Sequence, residues 1–102
     1  MAGTLGIVVA PEGDGYVVEL TGEIDLATCE ELAAAIEPLI DPDQTIIVDL
    51  SGVSFMDSSG LRVFLQARAS LNDKGGTLVL RKPTEQVRRL FVAVGLDSLL
   101  GE

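Results

Sequence analysis

Histidine and tryptophan are absent from these 102 residues, and cysteine occurs once. Without an imidazole there can be no Ser-His-Asp triad, no phosphohistidine carrier and no histidine-ligated zinc. The lone Cys29 excludes an internal disulfide and a thiolate zinc site. Aromatic residues make up 4 %, so aliphatic side chains must carry the core. No apolar run approaches the roughly twenty residues of a membrane helix. Met1 to Gly6 lacks the basic-then-apolar pattern of a secretory signal, so a cytoplasmic protein without a membrane partner is expected. Cations are also scarce: 7 Lys and Arg against 16 Asp and Glu give a net charge of −9. Nucleic acid and anionic lipid would repel such a chain, and a basic partner suits it better. Neither G-x-x-x-x-G-K-[ST] nor G-x-G-x-x-G occurs, so no phosphate-cradling loop is written in the chain. We expect no enzymatic activity, no cofactor and no metal.

What is present is enough for one globular domain spanning residues 1–102, with 47 % hydrophobic residues. Ile7 to Ala10 and Tyr16 to Leu20 read as strands joined by a turn over Pro11 to Gly15, a β-hairpin. After Thr21-Gly-Glu23, Asp25 can cap a helix by accepting from amides two or three residues on. Cys29, Leu32, Ala33, Ile36 and Leu39 or Ile40 recur at helical spacing, and Pro38 ends the run. Thr45 to Leu50 is apolar without alternation, which predicts a strand buried on both faces, and Ser51 to Met56 a connection. A second helix turns Leu61, Phe64, Leu65 and Leu71 inward and Arg62, Gln66 and Arg68 outward, until the Gly75-Gly76 pair stops it. Thr77 to Arg81 is the next strand. Pro83 and Thr84 open a third helix that buries Val87, Leu90, Phe91 and Val94 and is capped by Gly95. Ser98 to Leu100 reads as one more short strand. The order predicts an α/β fold with a mixed, mostly parallel sheet, an N-terminal hairpin and three packed helices.

Asp57-Ser58-Ser59-Gly60 stands where a strand hands over to a helix. Its plainest reading is capping of orphan amides. Capping does not exclude modification, since free amides and the positive end of a helix dipole also seat a phosphate. The stretch "LSGVSFMDSSGL", Leu50 to Leu61, resembles the signature of the STAS domains of bacterial anti-sigma factor antagonists. "LTGEID", Leu20 to Asp25, resembles their second signature, and the element order agrees over nearly the whole chain. The resemblance implies a partner switch. The unmodified antagonist binds an anti-sigma factor that is also an ATP-dependent serine kinase, freeing a sigma factor. Phosphorylation of the first serine, here Ser58 with Ser59 as runner-up, releases it, and a PPM-type metal-dependent serine phosphatase restores it. Asp25, Met56, Asp57, Ser59, Gly60 and Arg62 are implied as partner-binding residues. The family's final helix is expected to be absent, because the chain stops just after Leu100.

Several residues carry two readings. Phe55 is expected in the core, while Met56 is either core or docking surface. Arg62, one turn after Ser58, pairs with a phosphate, with an acid on the partner, or with water. Cys29 is expected in the core, with a redox role through intermolecular pairing as the lesser alternative. A phospho-aspartate receiver would need acids clustered after the first strand and a lysine near the last one. Glu12 and Asp14 lie in the hairpin turn and Lys82 follows the penultimate strand, which disfavours it. A scaffold of the same fold that is never phosphorylated stays open.

Overall fold

The hairpin forms as its turn chemistry predicts. In the computed structural model, which describes residues 3–101, β1 (Leu5–Glu12) and β2 (Gly15–Ile24) pair antiparallel across Gly13-Asp14. There follow α1 (Cys29–Ile36), a 3-10 turn (Glu37–Leu39), β3 (Thr45–Met56), α2 (Ser58–Asp73), β4 (Thr77–Arg81), α3 (Glu85–Ala93) and a second 3-10 turn (Asp97–Leu99). The sheet runs β1-β2-β3-β4, with β2, β3 and β4 parallel, so the architecture is the expected mixed α/β sheet. Pro38 ends α1, as expected of a residue with no amide hydrogen.

Both longer helices that precede a glycine close with the same device. Gly75 and Gly95 take φ of 78° and 75°. The amides of Gly76 and Leu96 reach back to the carbonyls of Leu71 and Phe91, and those of Gly75 and Gly95 to Asn72 and Val92. This is the paired 6→1 and 5→2 pattern that a left-handed residue permits.

Five expectations need correction. Ser51–Met56 is no connection: β3 continues to Met56, and β2 follows it to Ile24 through two register shifts. β3 is not buried on both faces, since Ile46, Val48 and Leu50 are fully buried while Ile47 and Asp49 are half-buried. One face of the sheet is covered and the other lies open, so alternation returns. On α2 the inward stripe is Leu61, Val63, Phe64, Ala67 and Leu71; Leu65 falls between its turns and is exposed, as is Val94 past the end of α3. The last segment is a 3-10 turn whose Leu100 makes only a single parallel bridge to Leu80. Phe64 and Phe91 are the largest fully buried side chains of an otherwise aliphatic core, as the composition required.

Candidate functional site

Extension of β2 and β3 brings the two sequence signatures together. Glu23 pairs with Phe55 and Ile24 with Met56, and the Asp57 amide donates to the Ile24 carbonyl at 3.1 Å. Asp25 and Asp57 therefore leave the sheet side by side, each one residue beyond a paired strand end. Each carboxylate then organises the turn that follows it.

Asp57 is the N-cap of α2. Its backbone is extended (φ −114°, ψ −169°), and its carboxylate accepts from the Ser59 amide at 2.8 Å. Ser58 becomes the first helical residue and is exposed, and its hydroxyl takes no partner among the described residues. Ser59 is half-buried, and its amide is already committed to Asp57. Arg62 is exposed one turn along the same helix, so its guanidinium can reach back toward Ser58. The first turn of α2 contains no acid.

Gly60 explains the close fit beneath this turn. It is buried, and an added Cβ would lie 2.7 Å from Ile24 Cγ2, 2.7 Å from Met56 Cγ and 2.8 Å from Met56 Sδ. The helix start is seated directly on the two strand ends. Met56 is 3 % exposed, so the core side of its double expectation is the one met; it is the floor under Gly60 rather than a surface residue. Phe55, expected in the core, is instead 40 % exposed. Successive residues of a strand face opposite ways, and Met56 holds the inward position.

Asp25 does make the local bonds expected of it, but the regular helix begins only at Cys29. One carboxylate oxygen accepts from the amides of Ala27 (2.9 Å) and Thr28 (3.1 Å), and the other from Gly3 (3.1 Å). Thr28 is 2 % exposed; its hydroxyl donates to the Glu23 carbonyl and accepts from the Asp25 amide, both at 2.9 Å. Asp25 thus fastens the turn that follows β2 and ties Gly3, just ahead of β1, to it. Its oxygens are spent on amides, and no three His, Cys, Asp or Glu side chains converge as a metal set among the described residues. Cys29 is half-buried against the core, its thiol facing the Leu26 carbonyl at 3.5 Å.

Leu26 was not legible from the sequence. It is 79 % exposed, directly after Asp25. Helical phase with Cys29, Leu32 and Ile36 would have put it inside, but the turn over residues 25–28 precedes the helix and throws it outward. Leu26 and Phe55 are thus two exposed apolar side chains within two residues of Asp25 and Asp57 along the chain.

A remote carboxylate is also tuned. Asp49 is held below the ordinary aspartate value by the Ser51 hydroxyl, against partial burial, with help from the Ser51 amide and the nearby Lys82 and Arg81 charges.

The comparisons with known proteins agree with this fold. Residues 7–101 match the family model described as "Mlab, STAS domain". The chain is 33 % identical over 97 residues to an anti-sigma-B factor antagonist of Staphylococcus aureus, covering 94 % of this chain and 90 % of that one. Its fold superposes on unphosphorylated SpoIIAA, an anti-sigma factor antagonist, with TM-score 0.81 at 28 % identity, covering 94 % and 86 % of the two chains. The phosphorylated form of SpoIIAA from Bacillus gives TM-score 0.72 at 26 % identity, covering 94 % and 89 %. Paired signatures, sheet order and these relatives converge: the chain belongs to the STAS-domain family of anti-sigma factor antagonists.

Proposed function

We propose that the protein is an anti-sigma factor antagonist whose unphosphorylated form binds an anti-sigma factor serine kinase, freeing a sigma factor. Phosphorylation of Ser58 releases it, and a PPM-type serine phosphatase restores the binding form. The observation that carries this reading is the state of Ser58. It is an exposed, unpartnered hydroxyl at the first position of a capped helix, next to an aspartate and above a tightly seated glycine. Ser59 is the poorer acceptor because it is half-buried and its amide is held by Asp57.

The energetics suit release without refolding. A phosphate adds about −1.5 to −2 charge at neutral pH. The helix N-terminus and Arg62 offset part of it in the free protein, where water does the rest. In a docked interface that water is lost and Asp57 repels the new charge. Weakening a complex a hundredfold takes about 2.7 kcal/mol, within reach of one poorly paired buried dianion. Leu26 and Phe55 supply the apolar contact that docking needs, with Asp25, Asp57, Ser59 and Arg62 around it; Gly60, expected among the contacts, is buried and lets the helix sit close on the strand ends instead. Met56 acts from below, by fixing the height of the helix.

The test is co-purification from the native cell with phosphosite mapping, using wild type, Ser58→Ala and Ser58→Asp. Phosphate on Ser58, with one kinase-like partner retained by Ala and lost by Asp, is the expected result. If no serine carries phosphate and all three forms hold the same partner, the switch is wrong and the protein is a constitutive scaffold.

A further inference from the structure

The two edges of the sheet are finished differently. Beyond β4 the chain returns: Leu100 bridges Leu80, and the Gly101 amide donates to the Leu80 carbonyl at 2.7 Å. β1, at the other edge, has no neighbour on its outer side among the described residues.

Parity tells which groups that edge offers. In a two-residue hairpin the flanking pair, here Glu12 and Gly15, is hydrogen-bonded, and bonded and non-bonded pairs then alternate. Even-numbered residues of β1 therefore turn their backbone groups toward β2. The Thr4 carbonyl, which accepts from the Glu23 amide at 2.9 Å, confirms the phase. Leu5, Ile7 and Val9 turn both N–H and C=O outward. Pro11, the next odd position, sits where its missing amide costs the hairpin nothing.

The usual protections of an edge are missing here. Such strands are blunted by lysine, proline, a bulge or a covering segment. From Leu5 to Ala10 there is no charge and no proline, and the register with β2 is unbroken. Val8 and Val9 are 58 % and 40 % exposed, one on each face of the sheet.

We propose that β1 pairs antiparallel with β1 of a second copy of this chain, about a two-fold axis at Ile7. Leu5 then faces Val9 of the second copy, Ile7 faces Ile7, and Val9 faces Leu5. The outward donors and acceptors of Leu5, Ile7 and Val9 find their complements in six hydrogen bonds. Sliding two residues toward the turn would bring in Pro11, which has no donor. The self-complementary spacing about Ile7 argues for a second copy over a foreign strand. The contact is isologous and the β4 edge is closed, so assembly stops at two. A single edge strand buries less than a standard interface, so half-dissociation is expected near 0.1 mM, on the order of the weak class.

The experiment is sedimentation velocity from about 10 µM to 1 mM in about 0.15 M salt, on wild type, Val9→Ala and Val9→Pro, with circular dichroism as a check of folding. Val9→Ala keeps the outward amide and should dimerise like wild type. Val9→Pro removes an amide the monomer does not use and should dimerise at least about tenfold more weakly. On wild type itself, amide exchange at Leu5, Ile7 and Val9 should slow with concentration while that at Gly6 and Val8 does not change. A wild type that stays monomeric at 1 mM, forms species larger than dimers, or shows no concentration-dependent protection at those three amides overturns the proposal. So does a folded Val9→Pro that dimerises like wild type.

Discussion

Replacing Gly60 by alanine sets helix propensity against packing at the point where α2 meets the sheet. Alanine in place of glycine should favour a helix by up to about 1 kcal/mol. The new methyl, however, would start 2.7 Å from Ile24 Cγ2, and carbon atoms rest at about 3.5–4.0 Å. Ile24 is fully buried and β-branched, so it cannot swing aside, and Met56 is held beneath the same spot. The helix start must rise by roughly 1 Å, and overpacking of this kind costs about 1–3 kcal/mol. Packing wins: Gly60→Ala should destabilise by about 1–2 kcal/mol, lowering Tm on the order of 5–10 °C for a domain of this size. Urea unfolding of Gly60→Ala, Met56→Ala and the double variant measures it. Removing the Met56 side chain should recover about half of the alanine penalty, a coupling of about 0.5–1 kcal/mol. Under the proposed switch, phosphorylation at Ser58 should slow in Gly60→Ala, because the acceptor moves with the helix. If Gly60→Ala instead gains about 1 kcal/mol, the helix is not seated on Ile24 and Met56, and the account of the site's floor is wrong.

Other substitutions test neighbouring parts. Asp57→Ala should cost about 0.5–2 kcal/mol of stability through loss of the cap on Ser59, whereas Asp57→Asn should cost much less; equal losses in chemical denaturation would deny the cap. Thr28→Val keeps the shape but strands the Glu23 carbonyl and Asp25 amide, so a loss of about 1–3 kcal/mol is expected, and a neutral result would show that water replaces the hydroxyl. The Ser51 hydroxyl holds the Asp49 carboxyl below its ordinary value in the folded chain, so its stabilisation is present above the unfolded value and is lost as pH falls through the lower folded one. Unfolding curves should therefore steepen in acid for wild type relative to Asp49→Asn, and parallel curves between about pH 4 and 2 would refute the Ser51 contact.

The positions of the elements were legible wherever a local rule decided them. Gly75 and Gly95 end helices because left-handed backbone suits glycine, and Asp57 caps because its carboxylate reaches the amide two residues on. The paired signatures at Leu20 to Asp25 and Leu50 to Leu61 were enough to point to the family before any fold was drawn, and the family comparisons bear that out. Which side of an element meets the core was less legible. Thr45 to Leu50 reads as buried on both faces, yet only Ile46, Val48 and Leu50 are sealed, because the helices leave one face of the sheet open. Phe55 and Met56 are both apolar neighbours, and only the pairing of Ile24 with Met56 decided that methionine goes under Gly60 and phenylalanine faces out. Leu26 followed helical phase in the sequence and broke it in space, since the Asp25 turn intervenes. By itself, then, the sequence determined the hairpin, the three helices, the cap at Asp57 and the serine at the head of α2, all matters of neighbours along the chain. Tertiary structure alone decided that Asp25 and Asp57 stand together, that Gly60 rests on Ile24 and Met56, and that β1 is left with an open edge. The deciding contacts, Asp57 and Gly60 with Ile24, join residues more than about thirty apart, which no local preference encodes.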